Sequence, residues 1–344
     1  MQRKNNRPTI GFLVSQLIDE YSVSIWSAIA AEAEKHDVNL VCLIGGALNG
    51  ELNFEYQRNS LYDLINNKKI DGLILAANQL SQLVGTNELK KLIRKYHPLP
   101  VVNIGVDIDN YPCILTDNKA GMRDVMVHLI EVHGYKKIAF ICGPENSQEA
   151  VLRYEAYKDV LSEYNIEFNA ELIMEGDFQR GSYGKEFSEY INKDLKYEAV
   201  VSSNDYMAVR MMDELKEKNI RIPDDVAVTG FDYNEQSRSV APKLTTVSQP
   251  KYDIGITAFN TMLALLNNQK VPAKQMLPTK LIIQQSCGCT KTFEPAVYNK
   301  RIKNPRANHS LSHEERELII NVIEREIGLH CIRLTTKERR LKWA

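Results

Sequence analysis

Lys137-Ile138-Ala139-Phe140-Ile141-Cys142, near the middle of a chain of 344 residues, is a strand-sized apolar run that restarts a pattern already complete before it. Upstream, short apolar runs alternate with longer amphipathic segments. Thr9–Val14, Asn39–Ile44, Gly72–Ala76 and Val101–Ile104 read as strands, and Ser24–His36, Gln57–Asn66, Asn87–Lys95 and Lys119–Val132 read as helices. Downstream the alternation runs again: helix Arg153–Tyr164, strand Glu171–Met174, helix Tyr183–Ile191, strand Ala199–Ser202, helix Met207–Lys218 and strand Val226–Thr229. These strands are nearly continuous in Val, Ile and Leu, as expected where helices cover both faces of a parallel sheet. The spacing therefore predicts an α/β protein with two doubly wound parallel-sheet lobes. A last helix, Ile254–Leu266, and a late strand, Thr279–Gln284, are too few for a domain and are expected to return to the two sheets.

At roughly 100–200 residues per domain the length suits two domains and an appendage. With 44% hydrophobic and 25% charged residues the chain has enough apolar material for sizeable cores, which excludes global disorder and fibrous architectures. A net charge of −1 supplies no whole-chain field for nucleic acid or an anionic membrane. No run approaches the roughly 18 apolar residues of a membrane span. The basic, polar start at 1–8 lacks the apolar segment and cleavage site of a secretory signal, so the expected compartment is the cytoplasm, with no membrane partner. Six cysteines, at 42, 113, 142, 287, 289 and 331, are thinly spread and suit reduced thiols. Cys42 and Cys142 lie in apolar runs and read as small core residues. Cys287-Gly288-Cys289 is tighter than the two-residue spacer of a zinc knuckle and has no second pair. His128 and His133, five residues apart, are poorly placed on a helix to share a metal. No metal site and no cofactor is expected.

From Thr290 onward the composition changes. Lys and Arg number 12 there against 7 Glu and no Asp, a net +5 against −6 for the remainder. Phe293–Asn308, with Pro295 and Pro305, reads as a linker. Ser312 with Glu315 can form a capping box, and Ile319, Ile320, Ile323 and Ile327 would form the apolar stripe of a helix stopped by Gly328. Residues 290–344 are thus expected to be a linker and a C-terminal helical extension, with His309 and His313 solvated.

Ligands of open α/β sheets collect beyond the carboxyl ends of the strands, where helix N-termini aim their N–H groups. There the first half of the chain places Ser15, Gln16, Asp19, Tyr21, Asn78, Gln79 and Asp107. The second half places Asn146, Ser147, Arg153, Asp177, Phe178, Asn204, Asp205, Tyr206, Asp232 and Tyr233. Asn and Asp hydrogen-bond in fixed directions, Arg offers a planar fork, and aromatic rings offer faces, a mixture suited to a small polyhydroxyl or heterocyclic ligand. Each residue also has a plain structural reading: Asp232 or Asn204 can cap a helix, Arg153 can pair with a local carboxylate, and Tyr21 or Phe178 can be packing. Catalytic templates are missing, with no G-x-G-x-x-G after the first strand, no G-x-x-x-x-G-K-[ST], no H-E-x-x-H and no G-x-S-x-G, and no enzyme is expected.

Seven blocks in order carry a resemblance. They are Ile70-Asp71-Gly72-Leu73-Ile74-Leu75; Thr116-Asp117-Asn118; His133-Gly134-Tyr135-Lys136-Lys137-Ile138-Ala139-Phe140; Ser203-Asn204-Asp205-Tyr206-Met207-Ala208; Ile222-Pro223-Asp224-Asp225 running on to Gly230-Phe231-Asp232; Leu244-Thr245-Thr246-Val247; and Leu277-Pro278-Thr279. From about Pro8 to Cys289 the chain resembles the effector-binding region of the LacI/GalR family, which has the type I periplasmic-binding-protein fold. The resemblance implies two lobes joined by three crossovers near Gly134, Ser248 and Met276, with 8–133 plus 249–275 as the N-terminal lobe and 134–248 plus 276–289 as the C-terminal lobe. It implies a small-molecule effector between them, held by Arg153 and Asp232 with Asn204 and Asp205 beside them, and with Tyr21, Phe178 and Tyr233 as ring contacts. It also implies a homodimer. Asp19-Glu20-Tyr21-Ser22 stands where the family has an Asn-Pro-Phe-Phe-like turn, so effector identity does not carry over. Strand one begins near Thr9, so no helix-turn-helix DNA-binding head is visible. The expected function is a non-enzymatic sensor of a sugar-like or nucleoside-like metabolite, relaying lobe closure to a C-terminal output domain. The alternative is a transcriptional regulator whose DNA-binding domain lies outside this chain.

Overall fold

In the computed structural model, the residues described are 7–289, apart from 51, 66–68, 109, 179–186, 188–189 and 192–196. The expected linker and tail at 290–344, with His309, His313 and the Ser312 capping box, lie outside the described residues, as does most of the expected helix Tyr183–Ile191.

Two parallel sheets carry the fold. The six-stranded sheet has the order β11 (Lys274–Leu277), β5 (Cys113–Thr116), β4 (Val101–Ile104), β3 (Gly72–Leu75), β1 (Thr9–Val14) and β2 (Asn39–Ile44). The four-stranded sheet has the order β7 (Ile173–Met174), β6 (Ile138–Ile141), β8 (Ala199–Ser202) and β9 (Ala227–Thr229). A short antiparallel pair, β10 (Thr246–Ser248) with β12 (Lys280–Ile282), pairs Thr246 with Ile282.

Helices α1 (Glu20–Lys35) and α8 (Lys251–Leu266) cover one face of the larger sheet, where Ile25, Ile29, Ile254 and Phe259 pack on Ile10, Phe12 and Ile74. On the other face, α2 (Ala77–Ser81), α3 (Gly85–Lys95) and Tyr62 of a 3₁₀ segment (Leu52–Leu64) pack on Leu13, Leu73 and Leu75. The smaller sheet is covered by α4 (Asn118–Glu131) and α5 (Gln148–Glu163) on one side and α6 (Asp205–Glu217) on the other. Phe140 and Val201 meet the first pair of helices, while Ala139, Ile141 and Val200 meet Met207, Met211 and Leu215 of α6. Both faces of each central strand are therefore apolar, which is why the strands read as unbroken runs rather than alternating ones.

The first crossover is earlier than the sequence boundary at 133/134. Met122, Val125, Met126 and Leu129 of α4 lie in the core of the smaller sheet, so the chain changes lobe between Thr116 and Asn118. A βα rhythm marks where a helix lies along the chain but not which of two sheets its apolar stripe will cover. The chain returns to the larger sheet at 249–250, entering α8, and crosses a third time at Pro278-Thr279, between β11 and β12. Among the described residues no helix is long and apolar enough to cross a membrane.

Candidate effector-binding site

The polar residues at the strand ends do two jobs. Several cap helices: Asp19, Asp117, Ser147 and Asn204 accept from the backbone N–H of Ser22, Ala120, Ala150 and Met207, meeting donors that a helix start leaves orphaned. The structural reading of Asn204 is therefore realised, while its amide nitrogen still donates to the carbonyl of Phe178 at 3.0 Å. The others converge between the lobes.

Arg153, on the second turn of α5, is buried with its guanidinium 3.8 Å from the ring centroid of Phe231 and 5.6 Å from that of Phe178. Its Nε donates to Asn118 Oδ1 at 2.7 Å, and its Nη1 donates to the Ser203 carbonyl at 2.6 Å and lies 3.7 Å from Asp232 Oδ1. Asp232 and Tyr233 take φ of 121° and 50°, a left-handed backbone that L-residues hold only when the surroundings impose it. Those surroundings are specific. Asp232 N donates to the Val247 carbonyl at 2.8 Å, and Gln249 Nε2 donates to Asp232 Oδ1 at 2.6 Å.

Asp205 is drawn into this support rather than toward the cleft. It is fully buried, one carboxylate oxygen accepts from the Thr246 hydroxyl at 2.5 Å, and the other accepts from Asn234 N at 2.9 Å. It thus ties the start of α6 to the loop that carries Asp232. Burial, and then the Asp232 charge, pushes the Asp205 carboxyl up to about 7, and burial pushes Asp232 up to about 6 against the charges of Arg153 and Lys251.

From the first lobe, Tyr21 brings its hydroxyl to Asn78, whose Nδ2 donates to it at 2.9 Å and to Glu149 Oε2 of the second lobe at 3.0 Å. Burial first, then the Glu149 charge, hold the Tyr21 hydroxyl well above its usual range, with Asp232 adding and Arg153 opposing. Tyr21, Arg153, Phe178, Asn204 and Asp232 are thereby brought into one neighbourhood. Tyr233 lines a hollow of about 310 Å³ together with Glu20, Gln249 and Lys251.

Sequence reasoning missed Glu149. It lies in the first turn of α5, where an acidic residue reads as a helix-dipole partner. Its second oxygen, Oε1, is buried without a hydrogen-bond partner among the described residues, as are the amide of Asn103 in β4 and the hydroxyl of Ser203. Glu149 borders a hollow of about 700 Å³ lined from both lobes, with Asp107, Thr116 and Lys274 on one side and Asn118, Asn146 and Gln148 on the other. Thr116 donates to Gln249 Oε1 at 3.0 Å, so a hydrogen-bonded line runs from this hollow through Gln249 to Asp232. Both hollows fall at the size of ordinary small-ligand sites, about 300–1,000 Å³. The acceptor-rich lining suits a ligand that brings hydroxyl or amino donors.

The family model of the periplasmic binding protein-like domain matches residues 127–287. The chain is similar to the HTH-type transcriptional repressor PurR of Vibrio atlanticus, 28% identical over 268 residues that cover 77% of this chain and 76% of that one. It is also similar to the HTH-type transcriptional repressor CytR of Escherichia coli, 27% identical over 285 residues that cover 83% and 80%. Among solved structures, the lac repressor dimer bound to operator and an anti-inducer superposes with a TM-score of 0.71 at 24% identity, covering 82% of this chain and 95% of that one. The cellobiose complex of the transcriptional regulator CelR superposes with a TM-score of 0.70 at 23% identity, covering 82% and 85%. The two crossed-over parallel sheets, the ordered sequence blocks and these relatives make residues 7–289 similar to the effector-binding region of LacI/GalR-family repressors.

Proposed function

We propose that this region is a non-enzymatic sensor whose lobes close on a sugar-like or nucleoside-like metabolite. Arg153, Asp232 and Glu149 fix its polar groups, Asn204 and Asp205 hold the site in shape, and Tyr21, Phe178 and Tyr233 offer ring faces. The observation that carries this reading is Glu149 Oε1, a buried carboxylate oxygen left unpaired at a hollow lined from both lobes. An acceptor left unmet in this way costs about 1–3 kcal/mol, which a ligand donor relieves on binding. A ligand that prefers the closed form roughly 100-fold biases the lobes by about 2.7 kcal/mol, enough to switch a balanced equilibrium. The likeness to transcriptional repressors, and to a regulator solved with cellobiose, supports a regulatory role in the cytoplasm. The lac repressor dimer supports a homodimer, which light scattering tests.

Calorimetry of the full chain against sugars, nucleosides and purines is the test. An effector should emerge, and Asp232→Ala, Arg153→Ala and Glu149→Gln should each weaken it at least tenfold, about 1.4 kcal/mol. Binding as tight as that of the unaltered protein in all three variants sinks the site. The repressor relatives favour a second reading of the output, a DNA-binding regulator with its head outside this chain. Effector-dependent retardation of the DNA upstream of the gene supports that reading, and its absence leaves a sensor coupled to some other output module.

A further inference from the structure

The far end of the second lobe gathers four metal-ligating side chains that the effector site does not use. His128 ends on the inner side of α4, buried, and the helix stops at Glu131, so His133 is not held to the opposite helical face that a five-residue spacing would give it. The chain turns back and the two imidazoles meet edge to face, centroids 5.1 Å apart. Cys287, fully buried, and Cys289, exposed, reach the same place from the last described residues. Gly288 between them takes φ of 100°, a conformation that side chains resist, and this turn lets two thiols one residue apart face one point.

We infer that His128, His133, Cys287 and Cys289 form a tetrahedral site for a divalent cation of the zinc class. The four ligand atoms lie within 4.8 Å of one another. Zinc–sulfur and zinc–nitrogen bonds of about 2.3 and 2.0–2.1 Å put neighbouring S and N ligands of a tetrahedron about 3.5 Å apart. Cys289 Sγ lies 3.3 Å from Nε2 of both His128 and His133. Two thiolates with two imidazoles are the donor set of structural zinc, softer than magnesium or calcium accept. The surroundings are built in the same sense: the Thr245 hydroxyl donates to Cys287 Sγ at 3.1 Å, and the Tyr135 ring stacks on His133 with centroids 5.3 Å apart. A bound cation would lash residue 289 to α4, whose first residue, Asn118, holds Arg153 at the effector site. The metal would stiffen the path from that site to the point where residues 290–344 begin.

The test is metal analysis of the full chain purified without chelator, with Co(II) substitution. One zinc per chain is expected, and Co(II) should give tetrahedral d–d bands with thiolate-to-cobalt charge transfer. Cys289→Ser and His133→Ala, at sites open enough to tolerate change, should each weaken binding at least 100-fold. His309→Ala/His313→Ala/His330→Ala/Cys331→Ser, which removes the tail's own His and Cys residues, should leave stoichiometry and spectrum unchanged. The inference is overturned by a metal-free protein with the spectrum of hydrated Co(II), by a Cys287–Cys289 disulfide in protein isolated anaerobically, or by loss of binding in the tail variant.

Discussion

Asp205 and Asp232 set two carboxyls in one dry neighbourhood, and burial raises both. The native protein therefore binds protons more tightly there than the unfolded chain, whose carboxyls titrate near 4. The stability that the protonated pair contributes is full below about pH 4 and is lost as pH rises through about 6 to 7, the window of the two raised carboxyls. Urea unfolding of the effector-free protein should show a midpoint that falls from pH 5 to pH 8. Asp232→Asn removes the charge that helps to raise Asp205, so the fall should become shallower and move to lower pH. Identical profiles in the two proteins would place the pH dependence elsewhere. At this scale the sequence named Arg153 and Asp232 through a family resemblance, and it ranked Asp205 beside them. Position after a strand cannot separate a carboxylate that meets ligand from one occupied by Thr246 and Asn234 N–H, because both stand at the same place in the pattern.

Among the elements, α1 and α8 show how closely the larger lobe is packed. A Cβ on Gly255 of α8 would sit 2.5 Å from the Ile25 carbonyl oxygen and 2.7 Å from Ala28 Cβ, so the two helices meet backbone to backbone. Gly255→Val should force them apart and lower stability by about 1–3 kcal/mol, read as a lower urea midpoint with an unchanged slope. A larger slope would instead mean that the unfolded or native ensemble had changed. The long apolar runs of β1, β3, β6 and β8 were legible because burial on both faces leaves no polar position to blur them. The sequence missed β5, β10 and β11, each of three or four residues: β5 follows Pro112, β10 follows Thr245, and β11 opens on polar Lys274 and Gln275. These strands exist because neighbours are ready to pair: Cys113 N donates to the Ala273 carbonyl at 2.9 Å, and Asp117 N to the Leu277 carbonyl at 2.9 Å. That is tertiary information which local pattern does not carry. The cluster at the end of α4 was hidden for a related reason, since a five-residue spacing excludes a shared ligand only while the helix continues.

For the whole molecule the question is what balances the lobes. Glu20 of the first lobe pairs with Arg238, on α7 (Glu235–Ser239) of the second, at 2.7 Å, and with Lys251, just past the second crossover, at 3.1 Å. Burial pushes the Glu20 carboxyl up, but hydrogen bonds and charge from Arg238 and Lys251 outweigh it and hold the group below its usual range. Glu20 and Arg238 are each more than a third exposed, so solvent screening limits their pairing to about 0–1 kcal/mol of folding stability. The same increment has more effect on an equilibrium between open and closed lobes, where about 1 kcal/mol is a fivefold change in population. Glu20→Gln removes both pairings while keeping the side chain's size. It should leave unfolding free energy within about 1 kcal/mol of the unaltered protein, weaken effector binding by roughly two- to fivefold, and enlarge the effector-free radius of gyration in X-ray scattering. Unchanged affinity and scattering would mean that the lobes are held by Asn78–Glu149 and the Asp107–Gln148 contacts instead, which would then be the pairs to break.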